Sequence, residues 1–236
     1  MALLPTILRY LKAYLQLGSF HINNEERNRM LAIGLSYIRD EQVKGDYFEF
    51  GVASGRTFVA SMLLAKKMLV DIDFVALDSF QGFPEPSAHD AAGFERFKKG
   101  EENWPKAHLL RRMRRAGVDR RKVEIVEGWF AESLTSDLQR RHAAKGGCAF
   151  AWIDCDMYIS TAPVLEFLTP LVHQGSVLVF DDWFCYRGSP DQGEQRAVGE
   201  WLAKHRQLEL IPFRKYAVAG NSFIVNVRHG EGREAD

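Results

Sequence analysis

Short apolar runs alternate with stretches of helical spacing from Tyr47 to the far end of the chain, and this alternation constrains the fold more than any other feature. Tyr47–Val52, Phe74–Leu77, Val123–Val126, Cys148–Ile153 and Ser176–Phe180 are too short for buried helices. Their apolar character is continuous, so they read as strands covered on both faces. Between them, Thr57–Met68, Leu109–Ala116 and Ala162–Leu171 carry helical patterns, and a further helix closes at Trp201. Parallel strands need such crossovers. Leu208–Pro212 and Ser222–Val227 are close in sequence with a Gly220-Asn221 turn signal nearby, which predicts an antiparallel hairpin on one edge. The expected fold is α/β, a doubly wound and mostly parallel seven-stranded sheet.

A chain of 236 residues supports one sizeable core with an extension better than two domains. Residues 1–45 read as an N-terminal helical extension, 46–228 as the main domain and 229–236 as a polar, disordered tail. Within the extension, Leu3, Leu4, Ile7, Leu8, Leu11 and Leu15 recur at helical spacing, but Arg9 and Lys12 interrupt them. That segment is too short and too charged to span a membrane, and it lacks a signal peptide's cleavage site. Its apolar side suits packing on the body or on a second copy, with docking on a membrane surface as the alternative, and a homo-oligomer is the expected assembly. A second helix is expected from Asn23 or Asn24, as N-cap, to about Asp40.

Lys and Arg number 31 and Asp and Glu number 31, so the net charge is zero. A protein held mainly by nucleic-acid phosphates needs excess positive charge, and none is present overall. No nucleic-acid partner is expected, although Arg111, Arg112, Arg114, Arg115, Arg120, Arg121 and Lys122 crowd one helix and its exit. Cys148, Cys155 and Cys185 are too few for a disulfide framework and match no zinc spacing, which predicts a reducing, cytoplasmic location.

The run Glu49-Phe50-Gly51-Val52-Ala53-Ser54-Gly55 sits where a strand enters a helix. Glycine permits the tight turn and lets a ligand approach the backbone beside unpaired helix N–H groups. A dinucleotide fingerprint would put glycine where Glu49 stands. Asp78 closes the next strand, as a ribose-binding acid would. A cofactor without a pyrophosphate tolerates an acid at the turn, and a positive adenosyl sulfonium would be drawn to it. This E-x-G-x-x-x-G spacing with Asp78 resembles the cofactor motif of class I S-adenosylmethionine-dependent methyltransferases, whose sheet is Rossmann-like.

Asp154 follows one strand directly, and Asp181 and Asp182 follow the next. Adjacent strand ends lie about 4.8 Å apart, so these carboxylates can converge. Uncompensated they would repel, and oxygen ligands suit Mg²⁺. Asp156, ahead of Ser160 and Thr161, is placed to cap the following helix. Asp154-Cys155-Asp156 is also a D-x-D, which metal-dependent glycosyltransferases use to hold a nucleotide sugar.

Taken in order, Tyr47-Phe48-Glu49-Phe50-Gly51-Val52, Asp78-Ser79-Phe80-Gln81-Gly82-Phe83-Pro84, Gly128-Trp129-Phe130, Asp154-Cys155-Asp156-Met157-Tyr158-Ile159-Ser160-Thr161, Leu168-Thr169-Pro170 and Asp181-Asp182-Trp183 resemble the macrocin O-methyltransferase family over roughly Asp46 to Ala197. The resemblance implies a Mg²⁺-dependent O-methyltransferase domain over 46–228, with metal ligands at Asp154, Asp181 and Asp182. It implies S-adenosylmethionine over Glu49, Gly51, Ala53 and Ser54, with Asp78 and Ser79 at the ribose and Trp129 beside the adenine. The acceptor is then a hydroxyl of a small molecule, a sugar or natural-product glycoside, and any vicinal diol would suit the same metal. Asp154 is the expected catalytic residue, joined by a basic histidine from the loop before the Leu109 helix. His89 and His108 are candidates, and His89 is assigned. Position 183 is Trp where the family commonly has Tyr.

One connection is unusually long. Ser79 to Pro105 holds several glycines and prolines together with Phe80, Phe83, Phe94, Phe97 and Trp104. It leaves the carboxyl end of a strand, where ligands bind in open α/β sheets, and is expected to close over the acceptor. An RNA-directed methyltransferase drawing on the basic helix, a D-x-D glycosyltransferase and a non-catalytic binding module are the rival readings.

Overall fold

The structure, a computed structural model, describes residues 19–91 and 96–228. Seven strands form one sheet in the order β3-β2-β1-β4-β5-β7-β6. They are β1 (Asp46–Phe50), β2 (Phe74–Asp78), β3 (Val123–Glu127), β4 (Cys148–Ile153), β5 (Val177–Phe180), β6 (Leu208–Tyr216) and β7 (Gly220–Val227). The first five run parallel, and β7 pairs antiparallel with both β5 and β6. Around it lie α1 (Ser19–Asp40), α2 (Arg56–Met68), α3 (Ala88–Ala91), α4 (Lys106–Ala116), α5 (Phe130–Ser133), α6 (Ser136–Ala143), α7 (Tyr158–Leu168) and α8 (Gly193–Lys204).

Alternation along the strands builds two cores. Phe48, Phe50, Ile153, Leu178 and Phe180 pack on one face against Val164, Leu165 and Trp201 of α7 and α8. Tyr47, Phe150, Trp152 and Val179 pack on the other against α1, α2 and α4 through Leu31, Phe58 and Leu109. The described part of the predicted extension is therefore built into the core, with Met30, Leu31 and Leu35 wholly buried. Asn23 and Asn24 lie inside α1 rather than capping it, and Asn24 Oδ1 accepts from Arg56. The amphipathic Met1–Leu17 segment and the 229–236 tail lie outside the described residues. Among the described residues no helix is long and apolar enough to cross a membrane.

Register aligns the chemistry. Phe50 stands beside Leu77 and Ile153, and Ile153 beside Phe180, so the next residues (Asp78, Gly51, Asp154 and Asp181) form one row at the carboxyl edge. Backbone bonds continue one step past the strands, from Gly51 N to Leu77 O, Asp154 N to Phe50 O and Asp181 N to Ile153 O.

Candidate active site

A cavity of about 890 Å³ opens along that row. One side is the glycine turn. Gly51 has φ +86°, and a Cβ there would stand 2.0 Å from the backbone oxygen of Asp154, so two strand ends touch only because the side chain is absent. Gly55, at φ +75°, caps α2, with Leu109 Cδ1 2.5 Å from where its Cβ would be. Asp78 organises the turn from the neighbouring strand. Its Oδ2 accepts the amides of Val52 and Ala53, each at 2.7 Å, and its Oδ1 accepts that of Phe80 at 2.6 Å. Burial raises its pKa and these three amides work against that rise. Asp78 thus shapes the cradle, where the sequence suggests only a ribose contact.

Of the residues predicted to hold the cofactor, Gly51, Ala53, Ser54, Asp78, Ser79 and Trp129 all line the cavity. Glu49 does not. It shares with Tyr47 the strand face beneath α1 and α2, is 1% exposed, and accepts the Tyr47 hydroxyl at 2.6 Å. Desolvation pushes its pKa up to about 8. The cavity does not reach this acid.

The opposite side is acidic. Asp154, Asp156 and Asp182 bring one oxygen each within 4.8 Å of one another. Burial raises all three pKa values, and neighbouring aspartates push them further. The third member differs from the predicted set. Asp181 is engaged elsewhere: Arg27 of α1 donates to both of its oxygens, through Nε at 2.9 Å and through Nη2, and Tyr216 donates to Oδ1 at 2.9 Å. Asp156, whose backbone is left-handed at φ 60°, supplies the third oxygen. The D-x-D spacing held that signal, and the capping role read for Asp156 hid it. Behind the cluster Glu194 is buried, with Oε2 accepting the Asp182 amide at 3.1 Å and burial raising its pKa.

His89, predicted as the base, is exposed on α3, with its ring 5.4 Å from that of Tyr158, and it does not line the cavity. His108 packs on Trp104 at 5.3 Å and is also outside the lining. Neither histidine joins the acids. The basic stretch is partly engaged within the fold. Arg112 Nε donates to Ser54 O at 2.9 Å, Arg121 pairs with Asp119 and Lys122 with Asp71.

Two features set the cluster's chemistry: hard oxygen donors, and few cations to balance them. Oxygens spread over 4.8 Å are close to the roughly 4 Å across a Mg²⁺ octahedron. Buried like charges of this kind persist where a bound cation compensates them.

Comparison with known proteins agrees with this geometry. The profile of the macrocin O-methyltransferase family (TylF) matches residues 19–206. A tetracenomycin-C rhamnosyl 4'-O-methyltransferase (8-demethyl-8-(2,3-dimethoxy-alpha-L-rhamnosyl)-tetracenomycin-C 4'-O-methyltransferase) of Streptomyces olivaceus is 32% identical over 147 residues, covering 60% of this chain and 54% of that protein. The chain thus spans about half the length of this curated relative. Among solved structures, the O-methyltransferase NovP superposes with a TM-score of 0.70 at 23% identity, covering 84% of this chain and 79% of that one. The calicheamicin methyltransferase CalS11 gives 0.65 at 24% identity, with coverage of 97% and 87%. These two share the fold.

Proposed function

The chain belongs to the macrocin O-methyltransferase family, and on that premise we propose that it transfers a methyl group from S-adenosylmethionine to a hydroxyl of a sugar or natural-product glycoside, with Mg²⁺ as cofactor. One observation carries the reading: a single row of strand ends brings a glycine turn and three carboxylates to one cavity. The 4'-O-methylation named for the Streptomyces olivaceus relative supports a sugar hydroxyl as acceptor.

The Gly51–Gly55 turn, held by Asp78, would receive the cofactor, with Ser79 and Trp129 on the adenosyl side of the cavity. Asp154 and Asp182, picked out by both sequence and geometry, would hold the metal with Asp156 as third donor. Asp181 carries the charge that fixes Arg27. When bound, Mg²⁺ supplies Lewis acidity that lowers the pKa of an acceptor hydroxyl. Asp154, which lines the cavity, would take the hydroxyl proton. Phe83 and Phe97 of the 79–105 connection line the cavity and would shield a bound acceptor from water. The three cysteines are free and buried, which fits a reducing cytoplasm, and the reading keeps a homo-oligomer as the assembly.

Isothermal titration with S-adenosylmethionine and with a nucleotide sugar, each with and without Mg²⁺, tests the proposal. Binding of the former is expected and, when a glycoside acceptor is added with Mg²⁺, a product heavier by one methylene unit. Metal-dependent binding of the nucleotide sugar alone would favour the D-x-D glycosyltransferase reading, and salt-sensitive RNA binding would favour an RNA substrate.

A further inference from the structure

Asp90 lies outside the catalytic row yet is buried to 2% exposure, and its carboxylate ties three segments together. It belongs to α3 in the connection after β2. Its Oδ1 accepts the Tyr158 amide at 2.6 Å and the Tyr186 hydroxyl at 3.4 Å, while Oδ2 accepts the Ile159 amide at 3.4 Å. Ser87 donates to Oδ2 through its amide at 3.2 Å and through its hydroxyl. Tyr158 and Ile159 begin α7, whose own N-cap, Met157, offers no side-chain acceptor. Those first amides would otherwise be orphaned, and a carboxylate is the favoured group to meet them.

The placement matters because α7 starts two residues after Asp156, which is held at φ 60°. Tyr186 lies on the other side of the same acid. Its ring passes 2.6 Å from where Gly193 would carry a Cβ, a position itself 3.5 Å from Asp156 O. A second tie leaves the same connection: Arg96 Nη1 lies 3.5 Å from Cys185 Sγ, and Cys185 Sγ donates to Asp182 Oδ1 at 3.1 Å. One connection therefore braces both acid-bearing loops, the first through Asp90.

We infer that Asp90 is a positioning residue for the carboxylate cluster, fixing the first turn of α7 and with it the left-handed backbone of Asp156. The inference rests on the proposed metal reading, because positioning matters where the three oxygens must meet one cation. Without Asp90 the α7 amides would turn to water and the Asp154–Asp156 loop would lose its anchor, while the glycine turn, held by Asp78, would be untouched.

The test uses the full chain with Mn²⁺ as the metal probe and S-adenosylhomocysteine as the cofactor probe, comparing wild type with Asp90→Ala and Asp90→Asn. Asp90→Ala is expected to weaken Mn²⁺ binding at least about tenfold and to change cofactor affinity by less than about twofold. Asp90→Asn, which keeps an acceptor for the Tyr158 amide, is expected to recover most of the loss. Tyr186→Phe should show the same split at about two- to threefold, and decides the matter if the alanine variant does not fold. A folded Asp90→Ala variant with unchanged Mn²⁺ affinity, or an equal loss of metal and cofactor affinity, would overturn the inference. If wild type binds no Mn²⁺, the metal reading fails on its own. Amide exchange then decides the positioning: faster exchange at Asp156–Ile159 in Asp90→Ala supports it, and unchanged exchange overturns it.

Discussion

The two ends of the central strands bury their acids in opposite ways. Where β1 and β4 begin, Asp46 meets His142 Nδ1 at 2.6 Å, and the other ring nitrogen lies 3.3 Å from Glu124. The imidazole packs edge-on against Phe48 and is 1% exposed. Where the same strands finish, three carboxylates crowd within 4.8 Å, and the nearby Arg27 is engaged by Asp181. The first arrangement gives a buried acid its partner and belongs to the architecture. The second crowds buried carboxylates whose pKa values burial and mutual repulsion raise, an arrangement that a bound cation would relieve.

Removing an acid at the carboxyl end should break this contrast most sharply. Asp182→Ala is expected to lower methyl transfer at least about a hundredfold and to abolish Mn²⁺ binding, with cofactor affinity kept within about twofold. Turnover by mass spectrometry and calorimetric titration check both halves, and full activity would sink the assignment of Asp182. At the other end Asp46→Ala removes the buried partner of His142 Nδ1. Urea denaturation should show a loss of about 1–3 kcal/mol, with Mn²⁺ affinity per folded molecule unchanged. A stable Asp46→Ala variant with weakened metal binding would erase the distinction between the two ends.

How far each region was legible in the sequence follows the same division. The sheet was readable because Tyr47–Phe50, Cys148–Ile153 and Val177–Phe180 are apolar on both faces, a pattern that short-range composition carries. The glycine turn was readable because Gly51 and Gly55 adopt backbone angles that other residues avoid. The acids were legible as a group, since register follows from strand order. Their roles within the group were not. Asp181 and Asp182 are neighbours in sequence, and only the packing of α1 brings Arg27 across 154 positions to engage the first and leave the second. Glu49 misled for a related reason, because its proximity to the turn says nothing about which strand face it occupies. His89 was assigned to the site yet lies exposed, because the local sequence does not reveal that its neighbour Asp90, rather than the histidine, turns inward.

A smaller effect separates the two ends by pH. Burial raises the pKa values of Asp154, Asp156, Asp182 and Glu194, so the metal-free folded protein holds protons that the unfolded chain releases. Stability is then greatest at low pH and falls as pH rises above the ordinary carboxylate range. Thermal melts of metal-free protein should shift downwards between about pH 5 and pH 8, and Mg²⁺ should restore more stability at the upper end than at the lower. A Tm that rises with pH and ignores Mg²⁺ would show that the cluster is balanced by groups within the chain.

Glu49 gives the smallest and most local version of this test, because it sits on β1 between Asp46 and the carboxyl-edge row. Among the described residues its side-chain donor is the Tyr47 hydroxyl at 2.6 Å, which carries no positive charge. The folded pKa of about 8, against 4.5 for the free side chain, places its loss of stability between those two values as pH rises. Glu49→Gln keeps an acceptor for Tyr47 and carries no proton to lose. The variant should match wild type near pH 5, melt a few degrees higher near pH 8, and keep turnover within about twofold, since the cavity does not reach this side chain. Loss of cofactor binding in Glu49→Gln would return the acid to the cofactor site. An unchanged pH slope would mean that the proton is held elsewhere along the strand.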